Sequence, residues 1–549
     1  MRVPAGLTRA APAVAAAAAG VLVALSVPPF GWWLLGWAGF AAVAGLLPGR
    51  AWRGRLLVGA AFGLGDYLPG LWWVHEFSVV GYVAVVVVST LYMMAALLLC
   101  PSRRYWWVAA AFPCLSLLSD YARDHFPLGG LPLAGTALGQ ATGPLVPVVR
   151  LGGSVLLTGE TALAGVVLAG FARAALRRLG ARRRPPRGEA HRWLVPAAVI
   201  AVALPLAGWL SPSGAGGRLP ATRVALVQGG GPRGTRAIYT NPQVVFDRHL
   251  AASASLRPPL DLVVWPEGVL QSHSPFQSGA DAAEVAALAR RLGATVLVGV
   301  EQDVPPDRYL NEVVAWSPAG RIVGTYLKNH LVPFGEYIPW RSFVERFFNV
   351  SAVPYDAIPG HGPGFMRTPA GPLAIMISYE VFFDGRARGG VDAGGQILVV
   401  PTDTASYRSS QVPAQEVAAD RLRAYETGRW LVQVTPTGFS DVVSPDGRVA
   451  VRSGLGERDV ITAAVPRRDG MTVFDDVGEA PWLAGAGAVW LAVAAAAALS
   501  ARRPDRSIRP STSSSSAPAT SVDRRWPQPS SEPSLRSGGP PSTSAPPGW

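Results

Sequence analysis

Apolar residues fill the first two hundred positions in long blocks rather than at intervals. Each block is close to the roughly 20 residues a helix needs to cross a bilayer. The blocks lie at 11–27, 30–47, 56–75, 78–99, 105–120, 152–172 and 193–210, and an eighth, at 481–499, ends in an alanine run. With Arg2 and Arg9 ahead of its Ala-rich stretch, the first resembles a cleaved leader, but six further blocks following closely make it an uncleaved first span. The pattern predicts a multi-pass α-helical membrane bundle of about eight spans, seven of them over 10–210 and the last at 481–499.

The pattern changes over 220–475. Short apolar runs bounded by Gly and Pro appear as RVALVQ (223–228), LDLVVWPE (260–267), ATVLVGVE (294–301), NEVVAWS (311–317), RIVGTYLK (321–328), PLAIMIS (372–378), QILVVP (396–401) and WLVQVTP (430–436). Amphipathic segments near 243–255, 280–292 and 411–426 separate some of them. Strand and helix alternation of this kind predicts a layered α/β domain. Residues 501–549 are rich in Ser, Pro and Arg and cannot bury a core, so they read as a disordered cytoplasmic tail.

Charge orients the bundle. Only 15% of the 549 residues are charged, against about 25% in a typical soluble chain. The net charge is +13, but the basic residues are grouped. They lie before the first block (Arg2, Arg9), between the second and third (Arg50, Arg53, Arg55), between the fourth and fifth (Arg103, Arg104), between the sixth and seventh (eight arginines from Arg173 to Arg192) and after the eighth (Arg502, Arg503). The alternate connections offer only Arg123 and Arg150. By the positive-inside rule both termini are cytoplasmic and 220–475 is extracytoplasmic, in a cell (inner or plasma) membrane protein. Membrane topology therefore accounts for the arginines, and no nucleic-acid partner is expected.

Cys100 and Cys114 sit in or beside apolar blocks and read as small buried hydrophobes. No nucleotide loop, metal-ligand cluster or haem motif is present, so neither cofactor nor metal is expected. Asp66 lies inside the third block, and a carboxylate there must face the bundle interior or water. His75 and Glu76 stand at the outer end of that block, and Asp120, Arg123 and Asp124 at the outer end of the fifth. A structural hydrogen bond or a lipid-headgroup contact explains Asp66 better than a transport pathway.

Three polar groups follow apolar strands: Glu267 in W-P-E-G, Lys328 in Y-L-K-N-H-L-V-P-F-G-E-Y, and Ser378 in I-S-Y-E. Lys328 is the one lysine of the chain among 49 basic residues, in a composition whose coding bias favours arginine. An acid, a cation and a nucleophile are the parts of an acyl transfer: the acid takes a proton, the nucleophile attacks a carbonyl, and the cation holds the oxyanion. Their separations of 61 and 50 residues do not by themselves bring them together, and a Glu or Lys after a strand is commonly a solvated loop residue.

The W-P-E-G, K-N-H-L-V-P-F-G-E-Y-I-P and S-Y-E strings occur in the order seen in the carbon–nitrogen hydrolase (nitrilase) superfamily. The L-V-P-F-G-E-Y-I-P wording, with seven spans before the domain and one after it, resembles bacterial apolipoprotein N-acyltransferases over essentially residues 10–500. The resemblance implies a nitrilase-like α-β-β-α sandwich. It also implies transfer of an acyl chain from a phospholipid donor to the N-terminal amine of diacylglyceryl-cysteine lipoproteins through an acyl-enzyme. Carried over, Glu267 is the general base and Lys328 the oxyanion cation, with Glu336, Tyr379 and Glu380 in supporting positions.

The chain departs from that family at the nucleophile, which is Ser378 where the family has cysteine; no cysteine occurs in 220–475. A thiol with a pKa near 8.5 is a few per cent thiolate at neutral pH, whereas an alkoxide is far rarer. No histidine is an obvious aid to the serine: His330 lies within the lysine block and His361 in a Pro/Gly loop, and either would have to approach it in space. A second departure is V-P-T-D-T-A-S-Y (400–407), where the family often has asparagine near Asp403 and Thr404. Three functions stay open on the sequence: an N-acyltransferase using serine, a catalytically weakened relative that binds lipid or lipoprotein or assists an active enzyme, and a membrane-tethered amidase.

Overall fold

The computed structural model describes residues 5–180, 190–231, 240–273, 275–404 and 411–502. The tail from 503 onward, Arg2, Arg182, Arg183, Arg184 and Arg187, and positions 405–407 of the second departure lie outside the described residues.

Each apolar block forms a helix: α1 (Ala5–Ser26), α2 (Trp33–Leu46), α3 (Trp52–Gly70), α4 (Val79–Leu99), α5 (Tyr105–His125), α6 (Val149–Gly180), α7 (Ala190–Leu210) and a C-terminal helix, Ala480–Arg502. Among the described residues four are long and apolar enough by themselves to cross a membrane: α4, α6, α7 and the C-terminal helix. The apolar stretches of α1 and α2 are shorter. α3 and α5 are interrupted by charges that the bundle buries, Asp66 in one and Asp120 and Arg123 in the other. The rings of Phe40, Phe62 and Phe112 meet at 5.8–5.9 Å in the bundle core. Asp66 does not find the expected hydrogen bond at Oδ1, which is buried without a partner among the described residues.

The region 220–475 is a two-sheet sandwich. One sheet takes β1 (Ala221–Gln228), β2 (Leu262–Val264), β3 (Leu270–Ser272), β4 (Thr295–Val304), β5 (Arg308–Trp316), β6 (Ile322–Leu327) and β7 (Asp356–Ala357). The other takes β8 (Phe365–Thr368), β9 (Gly371–Ile375), β10 (Ile397–Pro401), β11 (Leu431–Val434), β12 (Asp441–Val443) and β13 (Val449–Arg452); β14 (Asp459–Pro466) returns to the first sheet beside β1. The centre of each sheet is parallel, β1–β2–β4 in one and β9–β10–β11 in the other, with antiparallel strands outside. Strands buried on both faces read as continuous Val/Ile/Leu runs, which is why the sequence shows β1, β2, β4, β10 and β11 so clearly.

Alternate residues of each strand serve two cores. Val224 and Leu226 of β1 face the second sheet, where they meet Leu373, Ile375, Val399 and Val432. Ala225 and Val227 face the other way, onto α8 (Pro242–Ser253) and α9 (Ala280–Leu292). After the single turn α10 (Arg341–Val344), α11 (Asp384–Asp392) and α12 (Gln411–Thr427) cover the outer face of the second sheet. The order is helix, sheet, sheet, helix, as the resemblance implies.

The helix layer of α11 and α12 is also the face that meets the bundle. Gln411 donates to the carbonyls of Pro69 and Gly70 at 3.0 and 2.9 Å, Gln415 accepts from Ala134 N at 2.9 Å, and Arg421 donates to Ala141 O at 3.3 Å. The domain therefore packs on the end of the bundle where α3 and α5 finish, the arginine-poor end.

Candidate active site

Glu267 lies just past β2, on a segment whose backbone crosses β4 closely. A Cβ on Gly299 would stand 2.3 Å from Pro266 O and 2.4 Å from Glu267 Cα, so only glycine lets the two strands pass. The carboxylate is 5% exposed and both oxygens accept hydrogen bonds. Oε1 takes Lys328 Nζ at 2.8 Å and Asn311 Nδ2 at 2.7 Å; Oε2 takes the backbone N–H of Asp403 at 2.9 Å. Three donors thus converge on one carboxyl group.

Lys328 follows β6. Two antiparallel pairings, β4 with β5 and β5 with β6, bring β6 back to the direction of β2, so Lys328 and Glu267 emerge at the same sheet edge. Nζ is buried between Glu267 Oε1 at 2.8 Å and Glu336 Oε1 at 3.0 Å. Burial alone would lower the lysine pKa, but the two carboxylates outweigh it and raise it above its ordinary value, so the ammonium stays charged. An ammonium has three N–H donors and two are engaged here, which leaves one to aim at an incoming oxygen.

Glu336 ends the V-P-F-G-E turn. Its Oε2 accepts from Val332 N at 2.7 Å and so closes the turn, while Oε1 accepts from Asn311 Nδ2 at 2.7 Å beside Lys328. Burial raises its pKa against the lowering pull of Lys328. Asn311, at 2% exposure, thus bridges both glutamates. The sequence reading missed it, because one Asn near the start of a strand run carries no spacing signal; its only mark is a polar residue in an otherwise apolar stretch.

Ser378 lies past β9, on the short turn Ser378–Phe382, and is half-buried. Its φ of +51° is in the left-handed region, which non-glycine residues adopt rarely and at a cost of order 1–3 kcal/mol. Glu380 holds it there. That side chain is fully buried and accepts from Ile377 N at 2.8 Å, from Asn329 N at 2.9 Å and from His330 N at 3.0 Å, with Tyr326 Oη donating at 2.9 Å. One carboxylate therefore fastens the serine turn to the two residues after Lys328. Tyr379 Oη donates to Gly130 O, in the connection after α5, at 2.9 Å.

Among the described residues the Ser378 hydroxyl has no hydrogen-bond partner. His330 is engaged elsewhere, with Nε2 3.0 Å from Gly129 O and its ring stacked on Phe383 at 3.8 Å. His361 is exposed on its loop. Of the second departure, Thr402 donates to Glu416 Oε1 at 2.7 Å, and Asp403 contributes its backbone N–H to Glu267. The six residues picked from the sequence fall into one neighbourhood: Glu267, Lys328 and Glu336 in direct contact, and Ser378, Tyr379 and Glu380 on the turn that Glu380 binds to the lysine loop.

This geometry can be set beside known proteins. Residues 223–471 match the carbon-nitrogen hydrolase family, and residues 19–167 match the apolipoprotein N-acyltransferase N-terminal domain. An apolipoprotein N-acyltransferase of Mycolicibacterium smegmatis is 30% identical over 469 residues, covering 81% of this chain and 78% of the relative. One from Rhodopseudomonas palustris is 29% identical over 514 residues, covering 85% and 92%. Among solved structures, an amidase from Nesterenkonia sp. aligns with 50% of this chain and 98% of its own, at 20% identity and a TM-score of 0.36. By the breadth of these matches, the chain belongs to the apolipoprotein N-acyltransferase family.

Proposed function

We propose that this membrane protein moves an acyl chain from a phospholipid to the N-terminal amine of diacylglyceryl-cysteine lipoproteins, with Ser378 as the attacking group. The observation that carries the reading is the buried Lys328 ammonium between Glu267 and Glu336, at the edge to which Glu380 ties the Ser378 turn. Domain boundaries at 10–210, 220–475 and 481–499, eight spans, an extracytoplasmic domain and cytoplasmic termini belong to the same proposal. The grouped arginines and the packing of the domain on the arginine-poor end support them. A reporter fused after 475 should then read outside, and one at 182 should read cytoplasm.

In the first half-reaction Ser378 Oγ bonds to the ester carbonyl carbon and its proton passes to Glu267. The oxyanion that forms takes the free N–H of Lys328. The carbon–oxygen bond to glycerol breaks, Glu267 returns the proton to that oxygen, and lysophospholipid leaves an acyl-serine. In the second half the lipoprotein amine bonds to the same carbon and gives its proton to Glu267. Oγ then departs and takes the proton back. Atoms and charge balance without a cofactor.

A second reading keeps the site but not the rate: a weakened relative that binds lipid or lipoprotein or assists an active enzyme. The Ser378 hydroxyl, without a hydrogen-bond partner among the described residues, favours it. Expression of wild type, Ser378→Ala and Ser378→Cys in cells lacking their own N-acyltransferase, followed by mass spectrometry of lipoprotein triacylation, separates the two. Acyl transfer by serine requires wild type above alanine, with cysteine equal or better, since a thiolate is available near neutral pH. Wild type and alanine both silent, with cysteine active, assigns the chain to the second reading.

A further inference from the structure

Arg123 is a charged side chain at the end of α5 with 1% exposure, and the acyl-transfer steps above make no use of it. Ionisable groups at such depth are kept where they bind something specific. Its guanidinium is held from three sides: Nη2 lies 3.0 Å from Asp120 Oδ1 and 3.1 Å from Asp124 Oδ1, and the group sits 5.4 Å from the Tyr67 ring centroid. Asp120 is itself fixed, because its Oδ2 accepts from Thr158 on α6 at 2.7 Å. A planar guanidinium clamped in this way has a set direction for its remaining donors.

That direction is the connection that follows α5. Arg123 Nη1 donates to Leu133 O at 2.9 Å, and Arg123 O accepts from Leu131 N at 2.9 Å. The same residue therefore holds the returning limb of loop 126–134 by side chain and by backbone. The loop needs holding. Leu128, Gly129, Gly130 and Ala134 all have positive φ, and a Cβ on Gly130 would lie 1.9 Å from Asp124 O.

The loop's carbonyls point at the acyl-transfer site. Gly130 O accepts from Tyr379 Oη at 2.9 Å, and Tyr379 follows Ser378. Gly129 O lies 3.0 Å from His330 Nε2, two residues after Lys328. Leu128 O accepts from Tyr337 Oη at 3.4 Å, and Tyr337 follows Glu336. Three successive carbonyls of one bundle loop thus touch the chain neighbours of the nucleophile, the cation and the second carboxylate.

We propose that Arg123 is a positioning residue of the acyl-transfer site, fixing loop 126–134 so that its carbonyls set the serine turn and the lysine loop relative to each other. The proposal rests on the acyltransferase reading for its kinetic consequence, and on geometry alone for its structural one. It makes the membrane bundle part of the site rather than only its anchor.

The test uses the full-length chain in detergent micelles, with hydrogen exchange and steady-state acyl transfer from a fluorescent phospholipid to a diacylglyceryl peptide. Arg123→Met should raise exchange in loop 126–134 and also in 329–337 and 376–382, and lower kcat about tenfold with KM little changed. Tyr379→Phe, acting from the other end of the chain of contacts, should loosen 126–134. The double variant should be no slower than the slower single, since both cut one linkage. Arg123→Lys, which keeps charge but loses the planar fork, should fall between wild type and Arg123→Met. Should Arg123→Met fail to insert, Arg123→Lys and Asp120→Asn carry the same exchange prediction. Exchange changes confined to 120–134, or additive rate losses, would overturn the proposal and leave Arg123 as a bundle ion pair. An inactive wild type would defeat the acyltransferase reading, while the exchange pattern would still decide the role of Arg123.

Discussion

The two sheets contribute to the site in different ways. From the first come Glu267, Asn311, Lys328 and Glu336, side chains that touch one another and share a buried proton and charge network. From the second comes Ser378, whose hydroxyl has no hydrogen-bond partner among the described residues and whose position is set by a left-handed φ and by the N–H groups that the Glu380 carboxylate gathers on either side. One half is preorganised electrostatically, the other only geometrically. An oxyanion site built this way costs no reorganisation when charge develops, whereas a serine without a bonded base must find its proton acceptor during the reaction. Such a division suits a nucleophile that needs placement more than activation, as a thiolate does.

The strongest way to break the electrostatic half is at its cation. Lys328→Arg keeps the charge, but a planar fork cannot sit between two carboxylates 2.8 and 3.0 Å away and still present one compact N–H to the oxyanion. Acyl transfer should fall by about 10²–10³-fold, the usual effect of losing an oxyanion donor, while membrane insertion and domain folding persist. A Lys328→Arg enzyme with near-normal kcat would remove the lysine from the chemistry.

A smaller effect is expected at the bridge. Asn311→Ala removes one donor shared by Glu267 and Glu336 and should cost roughly tenfold in kcat, in line with ~1–3 kcal/mol for stripping a buried polar group of its partner. The sign of the pH effect follows from Glu336, whose pKa burial already raises and the Asn311 hydrogen bond lowers. Without that bond Glu336 takes up its proton at higher pH and releases its hold on Lys328. The acidic limb of the pH–rate profile should therefore move upward. An unmoved limb with a lowered rate would mean that Asn311 only shapes the pocket.

Much of this division could be read from the chain. Glu267, Lys328 and Ser378 stand at the ends of apolar runs, and the wording of the W-P-E-G and L-V-P-F-G-E-Y strings joined them across more than a hundred residues. The helices were legible because bilayer length imposes unbroken blocks, and the parallel strands because burial on both faces imposes continuous ones. What stayed hidden has a physical reason in each case. β8, β12, β13 and β14 are short, peripheral or part-exposed, so their composition mixes with loops. Asn311, Tyr326 and the Asp403 N–H act through pairings set by tertiary structure, which no local spacing records. The contacts of loop 126–134 depend on where the domain lands on the bundle.

The mildest test probes what lies behind the geometric half. Glu416 on α12 accepts from Thr402 Oγ1 at 2.7 Å, and the next residue, Asp403, supplies the backbone N–H to Glu267 Oε2. Glu416 faces Asp420 on its own helix and Asp441 on β12, all three fully enclosed, with Lys328 and Glu267 on the site side and Arg421, Arg423 and Arg452 acting on its two acidic neighbours. Burial, opposed by the Thr402 hydrogen bond and reinforced by Glu267, raises the Glu416 pKa from 4.5 to about 8. An acid whose folded pKa is raised contributes stability that is complete below its ordinary pKa and is lost as pH rises through the folded one. The melting temperature should therefore fall as pH goes from about 5 to about 9, and the thermal midpoint of Glu416→Gln should fall less steeply over that window. At about 1.4 kcal/mol for each pH unit between the ordinary and the folded pKa and roughly 2–4 °C per kcal/mol for a domain of this size, the two slopes differ by a few degrees per pH unit. Because the glutamine keeps a carbonyl for Thr402, kcat at pH 6 should change little, and its decline toward pH 9 should soften with the stability. Identical slopes for the two proteins would show that Glu416 stays ionised in the fold.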